Sequence, residues 1–513
     1  MTGVLWVALP LVCLAGGAFV SYVTGRLLMA RLPGACNKLL ASLTAVTFLL
    51  ALGALAPLYP MTQAALSAGR SMPQWGSLGA EGAYLRADPG GVLVVSIALG
   101  MGALVTVYSG RYLALDRRYE TYYPLLLLLV TGLAGMVLAA DLFNLYMFCE
   151  LMSISAYALV AFRRQTGTAI EAGFKYLVMG SVGTVIILMG ISFIYRETGD
   201  LSLPEGVRWG QGDLRGAVGP WARVGLACTL VGLGVKSAIV PAHTWLPDAH
   251  GRAPSSISAM LSGIVIQSAF YALLKVSLGS GLPARSLGTV LIVLSLLNMT
   301  LGNGLALIQT NTKRLLAYST IAQMGYIMLS VGIGLRYGIL SALQAGFFLI
   351  LAHAAMKGLA FLSKGVCRFY CDTTAIAQLK GIVSRLPLAA VTFAVALGGL
   401  AGMPPLAGFA GKWFLMTQVL GAADALLYVG LVVFLLNGVL SLGYYLPLIG
   451  TLFSSPPAPL ACGEENEERV RISAWMVCPL VILGGLVLAI GLYPGPWLDW
   501  TAGAGIYLQS LAR

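Results

Sequence analysis

The sequence predicts an all-α polytopic membrane protein of about fourteen transmembrane helices, with helices seven and twelve interrupted. Three observations predict it. Of the 513 residues, 58% are hydrophobic and only 10% charged, against roughly one half and one quarter in an average soluble domain. Apolar stretches of about 20 residues recur along the chain, each long enough to cross ~30 Å of hydrocarbon as a helix. Prolines break two of these stretches, five spans apart, each beside a lysine. So little charge cannot cover a soluble chain of this length, which excludes a soluble enzyme, a nucleic-acid binder and a disordered protein. The net charge of +12 would point to nucleic acid in a soluble protein. Here it reads as the basic loops of a membrane protein, and no nucleic-acid partner is expected.

The spans follow in order. The first, near 3–23, has no basic residue before it and Arg26 after it. It therefore reads as a transmembrane helix rather than a cleaved signal peptide. Spans two and three lie near 37–58 and 91–109; Arg111, Arg117 and Arg118 then separate span three from span four, near 122–139. Asp141 opens span five (142–162), Arg163 and Arg164 close it, and span six is near 174–195. Span seven (221–241) ends in the first proline break, and Arg252 precedes span eight (256–277). Lys313 and Arg314 divide span nine (287–308) from span ten (314–334), and span eleven is near 338–361. A basic loop with Lys364, Arg368, Lys380 and Arg385 leads to span twelve (388–420), which holds the second break. Spans thirteen and fourteen lie near 425–448 and 472–493. The gaps 59–90 and 196–220 are too short for a soluble domain, and the acidic piece Glu464–Glu468 reads as a solvated charge cluster. The expectation is one integral-membrane domain over 1–513.

Odd-numbered loops carry 18 Lys and Arg, and even-numbered loops with the C-terminus carry 9. The positive-inside rule then puts the odd loops in the cytoplasm of a prokaryotic-type inner membrane and both termini on the outer side. Four basic residues remain inside spans: Lys236, Lys275, Lys357 and Lys412. The eight cysteines are ordinary in number and lie mostly in apolar segments. The CxxxC pair Cys367 and Cys371 lacks further ligands nearby, so neither a metal nor a disulfide is expected. No Walker A motif, no GxGxxG with a following acidic residue and no HExxH is present, so no cofactor or metal site is expected in this chain.

The chemistry is carried by charges at bilayer depth. Glu150, in DLFNLYMFCELMS, lies mid-span in helix five, with Asp141 at its mouth. A carboxyl there is paired, hydrated or functional, or else stays neutral and bonds a neighbouring helix. Lys236 lies five residues before Pro241, which breaks helix seven. Freed carbonyls and water then surround an amine able to take up and release protons; the plainer reading is a snorkelling lysine. His353 and Lys357, four apart, share one face of helix eleven as a relay step. Lys412 follows the Met403–Pro404–Pro405 break in helix twelve, which mirrors Pro241. Paired interrupted helices in corresponding positions point to internal repeats with the ion path at the breaks. His243, Asp248 and His250 cluster after Pro241 and either line the cytoplasmic mouth of the break or bond its freed backbone. Lys275, near the outer end of helix eight, is expected to snorkel.

These segments together resemble the antiporter-like family: the proton-pumping membrane subunits of respiratory complex I, Mrp cation/proton antiporter subunits and relatives in membrane-bound hydrogenases. The matching stretches are DLFNLYMFCELMS, EAGFKYLVMGSVGTVIILMG, KSAIVPAHTWLPDAHGRAPSSISAMLSG, NTKRLLAYSTIAQMGYIMLS, HAAMKGLAFLSKG and GLAGMPPLAGFAGKW. The resemblance implies two inverted five-helix repeats, over about 120–280 and 287–450. It implies that Glu150 pairs with Lys236 and that His353, Lys357 and Lys412 continue a hydrated lateral proton path. It also implies membrane-subunit partners. One departure stands out: the family's lysine in helix eight falls about where this chain has Gln267, which orders water but carries no proton as a charge.

The resulting expectation is a proton-translocating antiporter-like subunit of a complex I-related redox assembly, with any redox cofactor in a partner. One alternative is an Mrp-type sodium/proton antiporter subunit. A second, prompted by Gln267, is a structural subunit that has lost conduction.

Overall fold

A computed structural model of the chain describes residues 2–31, 33–76, 84–114, 116, 118–203, 219–419, 424–455 and 470–512. The Glu464–Glu468 piece lies outside these residues. Helices dominate from end to end. α1 (Thr2–Arg31), α2 (Pro33–Leu55), the short α3 (Leu58–Ser67) and α4 (Pro89–Tyr112) form the first three spans and a cover between two of them. Between α3 and α4 a ribbon pairs β1 (Gln74–Trp75) antiparallel with β2 (Leu85–Arg86), Gln74 opposite Arg86. α5 (Tyr119–Leu138), α6 (Leu142–Val160) and α7 (Gly167–Thr198) are spans four to six. Span seven is α8 (Pro220–Lys236) and α9 (Trp245–Arg252), with eight irregular residues between them. α10 (Ser255–Gly279) is span eight and contains one π turn at Leu261–Val265. α11 (Ala284–Leu307), α12 (Thr312–Tyr337) and α13 (Leu340–Cys371) are spans nine to eleven. Span twelve is α14 (Pro387–Ala401) and α15 (Ala407–Val419). α16 (Ala425–Phe453), α17 (Ala474–Leu492) and α18 (Pro494–Ala512) complete the chain.

Among the described residues, twelve helices are long and apolar enough to cross a membrane unbroken. The bent pair Ala377–Ser384 and Pro387–Ala401 passes the same test as a thirteenth, and α8–α9 and α14–α15 stand where hydropathy predicts spans seven and twelve. Their arrangement separates an inner from an outer layer. α10 and α13 are wholly buried along their most apolar stretch and α12 is 94% buried, whereas α16 is only 28% buried. Outer helices turn large apolar side chains outward, such as Phe174, Leu436 and Val439, as a lipid-facing surface requires. The buried Lys357, His353 and Gln267 all belong to the inner layer.

Lipid gives helices no hydrophobic reason to associate, so close backbone packing must hold them together. Between α7 and α8 two glycine pairs do this, Gly183 with Gly232 and Gly190 with Gly225. A Cβ on Gly232 would lie 2.4 Å from the Gly183 carbonyl oxygen. Gly288 and Gly332 make the same kind of seam between α11 and α12. Capping side chains set where helices begin. Asp88 accepts from the Gly91 N–H, Asp141 from the Asn144 N–H, and Asn311 from the N–H groups of Lys313 and Arg314.

Three expectations need correction. The chain does not end its helical structure with span fourteen, because α18 adds a helix whose Trp, Asp and glycines dilute its hydropathy. It packs against α3, α4 and α13, and Gln509 donates to the Gly338 carbonyl at 3.0 Å. Lys275 does not snorkel. It is 3% exposed, and its Nζ lies 3.3 Å from the buried carboxylate of Asp88. Finally, Cys371 is disulfide-bonded, while Cys367 is a buried free thiol.

Candidate functional site

The first break places Lys236. α8 starts with Pro220 at its first turn and ends on Lys236, after which Ala238 adopts φ +52° and the Val240–Pro241 bond is cis. Pro241 has no N–H and stops the helix from continuing. The irregular residues are held from three sides. Val240 N–H donates to Asn298 Oδ1 of α11 at 2.9 Å. Trp245 Nε1–H donates to the Val235 carbonyl at 3.0 Å, and its indole stacks on Tyr176 at 4.2 Å. The Lys236 ammonium, 4% exposed, donates to Ser153 Oγ at 2.7 Å and to Tyr157 Oη at 3.0 Å, both on α6. It also lies 5.5 Å from the Tyr157 ring centroid, within cation–π range.

Glu150 is half-buried on α6, one turn before Ser153 and on the same face. Among the described residues no ion pair within 4 Å joins it to Lys236. The two charges are instead linked through the hydroxyl-bearing face Glu150–Ser153–Tyr157. Asp141 stands apart from this group. Its carboxylate caps α6 through the Asn144 N–H at 2.8 Å, which accounts for it structurally.

The middle of the site is built by the π turn of α10. The Ser262 carbonyl within it accepts from Gln267 Nε2 at 3.2 Å and from His353 Nε2 at 3.1 Å. A carbonyl acceptor requires the His353 proton on Nε2. Gln267 Oε1 and His353 Nδ1 are buried and have no hydrogen-bond partner. Ser262 Oγ meets Thr320 Oγ1 at 2.6 Å. One residue earlier on α12, Ser319 accepts from Lys357 Nζ, which also donates to the Leu316 carbonyl at 2.7 Å. Ser319 in turn meets the hydroxyl of Tyr445 on α16.

The second break places Lys412. α14 ends at Ala401, Gly402 turns the chain at φ +88°, the Pro404–Pro405 bond is cis, and α15 resumes at Ala407. Only glycine adopts that φ without strain. Lys412 Nζ donates to the Leu400 and Ala401 carbonyls at 3.2 and 3.4 Å, at the negative end of α14. It lies 4.5 Å from the Tyr326 ring centroid, and Gln323 Nε2 donates to the same Leu400 carbonyl at 2.9 Å.

The cluster after Pro241 divides. Asp248 faces a surface cleft of about 180 Å³ beside Glu171, Lys175, Arg252 and Arg314, with Lys175 Nζ at 3.5 Å and Arg314 at 3.6 Å. His250 is fully buried and stacked on Phe361 at 5.0 Å, with no partner at either ring nitrogen. His243 is half-buried in the irregular segment two residues before α9. So Asp248 lines a mouth, while His250 points inward.

Four of the five in-membrane residues singled out in the sequence thus fall in three separate polar groups, around Lys236, around His353 and Lys357, and around Lys412, with Glu150 one turn from the first. The residues around them were not singled out: Ser153, Tyr157, Ser262, Ser319, Thr320, Gln323 and Tyr326. A signal for them existed. Residues 150, 153 and 157, and again 319, 323 and 326, recur at three- and four-residue spacing within apolar helices.

Known proteins place this arrangement. Residues 139–441 match the family model described as NADH:quinone oxidoreductase/Mrp antiporter, transmembrane. The chain is 32% identical over 440 residues to NADH-quinone oxidoreductase subunit N of Desulforudis audaxviator, covering 82% of this chain and 83% of that one. It is 32% identical over 424 residues to F(420)H(2) dehydrogenase subunit N of Methanosarcina mazei, covering 80% and 82%. Among solved structures, a chain of the membrane-bound sulfane sulfur reductase, an archaeal respiratory membrane complex, superposes with TM-score 0.83 at 26% identity, covering 100% of this chain and 98% of that one. A chain of the Mrp complex of Dietzia sp. superposes with TM-score 0.79 at 22% identity, covering 99% and 100%, and shares the fold. The chain belongs to the NADH:quinone oxidoreductase/Mrp antiporter transmembrane family.

Proposed function

We propose that this chain translocates protons as a membrane subunit of a complex I-related assembly. The observation that carries the reading is the placement of three lysines. Lys236 and Lys357 are buried and Lys412 is half-buried in apolar helices, each holds its ammonium on hydroxyls or carbonyls, and hydrogen-bonding groups lie between them. Charges at this depth are costly unless they serve transport. A lysine on neutral acceptors releases its proton more readily than one on a carboxylate, because no opposite charge stabilises the ammonium. In this reading Glu150 sets the proton affinity of Lys236. When the carboxylate swings away, the proton leaves toward His353 and Lys357 and on to Lys412. The odd-loop face is the cytoplasmic side of a prokaryotic-type inner membrane, and both termini lie outside.

Protons fit better than sodium. A sodium site requires several converging oxygen ligands including carboxylate, as hard cations do. Among the described residues no second carboxylate pairs with Glu150, the Asp141 carboxylate is committed to its helix cap, and the buried Asp88 faces Lys275. The test uses the full chain with the membrane subunits that co-purify with it, in proteoliposomes driven by a potassium–valinomycin potential and loaded with pyranine. Lys236→Ala and Glu150→Ala should each slow internal pH change; full rates in an intact assembly would overturn the mechanism. Sodium-dependent dissipation of a pH gradient would replace it with the Mrp-type exchange.

A further inference from the structure

The polar stripe of α10 does not stop at Gln267. Tyr271 and Lys275 follow at i+4 and i+8, on successive turns toward the even-loop end of the helix. There they meet Asp88, the residue that opens α4. Asp88 Oδ1 accepts from the Gly91 N–H at 2.7 Å and from the Tyr271 hydroxyl. Asp88 Oδ2 is buried, accepts no hydrogen bond, and faces Lys275 Nζ at 3.3 Å. Lys275 Nζ also donates to the Val137 carbonyl at 3.1 Å. Asp88 is 0% and Lys275 3% exposed.

A clamp between α4, α5 and α10 does not need these groups. Apolar residues of similar volume hold helices at least as well as a buried ion pair, and the cap on α4 uses only one carboxylate oxygen. The other oxygen is left with a lysine and no hydrogen bond. Two turns inward, Gln267 Oε1 and His353 Nδ1 are likewise buried without partners. Three open polar atoms therefore mark the two ends of one stripe. Beyond Lys275 the chain soon reaches the surface, since Gly281 is half-exposed and Pro283 exposed.

We propose that Tyr271, Asp88 and Lys275 form the release site through which protons pass from the Gln267–His353 junction to the even-loop face. This rests on the proton-translocating reading above. A proton arriving along the stripe binds Asp88 Oδ2 and neutralises the carboxylate, which loosens the hold on Lys275. Loss of that proton to water at the even-loop end restores the pair. Charge and proton number balance over the cycle, and Gln267 passes the proton by ordering water rather than by titrating.

The same proteoliposome assay tests it, with four variants beside the wild type. The double variant Asp88→Asn with Lys275→Met keeps a capping side chain on α4 and removes both charges; it should assemble and transport about tenfold more slowly, and Lys275→Arg should stay within about threefold. An assembled double variant at the wild-type rate would show a clamp and overturn the proposal. Should the double variant fail to assemble, Tyr271→Phe keeps the ring against Phe347 and removes only the hydroxyl. It should slow transport about threefold, and an unchanged rate overturns the proposal equally. Lys236→Met, run in parallel, separates the two failures. If it is inactive while the Asp88 and Tyr271 variants are normal, only the release site is wrong. If it too transports fully, the underlying reading has failed.

Discussion

At the first break the Lys236 ammonium sits on two side-chain hydroxyls of a neighbouring span, Ser153 and Tyr157, with Glu150 one turn away. At the second, Lys412 sits on two carbonyls of its own span, Leu400 and Ala401, and its neighbours on α12 are Gln323 and Tyr326 rather than a carboxylate. Both lysines lie against a tyrosine ring beside a proline-broken helix. What differs is the source of stabilisation. A carboxylate is mobile and titratable, so it can raise or lower the affinity of Lys236. The backbone carbonyls at Lys412 are fixed, so its affinity stays near one value. The first site is built to be switched and the second to receive.

Removing either lysine should have the largest effect. Lys412→Met keeps the length of the side chain but removes the proton-carrying group at the second break, so transport should fall by about tenfold to a hundredfold. Dye-reported proton uptake under an imposed potential measures it. A rate close to wild type would mean that the path does not pass through the second break.

The difference between the breaks is sharpened by moving the carboxylate. Glu150→Gln keeps the shape and removes the switch, so transport should fall by about three- to tenfold. Gln323→Glu puts a carboxylate beside Lys412 and should trap its proton, slowing transport by a similar factor. If Gln323→Glu instead leaves the rate unchanged while Glu150→Gln abolishes it, the two sites differ more deeply than in their nearest charge.

How much of this was legible follows from what hydropathy and charge can report. The apolar spans, two breaks and four cations within them stand out because an apolar background makes each exception visible. Hydroxyls do not stand out, since a Ser or Tyr at 153, 157 or 319 is common in membrane helices and acquires meaning only from what it faces. Asp88 reads as a loop residue and Lys275 as a helix-end snorkeller. Only the fold brings these two residues, 187 positions apart, to a common end, and only burial shows that neither is in water. α18 was missed for a related reason: a helix that packs over other helices needs less hydropathy than one that crosses lipid.

A smaller effect is expected at Gln267. Its amide already donates to the Ser262 carbonyl that His353 shares, so the junction is bridged without a charge. Gln267→Lys should leave transport within about twofold. A clear rise would instead show that the natural chain has a broken path, and would favour a structural role for it.

A modest effect is expected from Tyr157→Phe. The change removes one of the two acceptors of Lys236 but leaves Ser153 Oγ at 2.7 Å and the aromatic face beneath the ammonium. Phenylalanine also fits the space. The hydroxyl lies directly over Gly180, where an added Cβ would come within 1.8 Å of it, so the glycine makes room for the tyrosine and nothing must move when the oxygen goes. The loss is one hydrogen bond to a charged group with its partner re-satisfied by water, about 1 kcal/mol, and transport should slow by about two- to fivefold. The matching change at the second break tests the comparison. Lys412 has no such hydroxyl, and Tyr326→Phe should leave the rate in place. An equal slowing from both would mean that the two lysines are held in the same way after all.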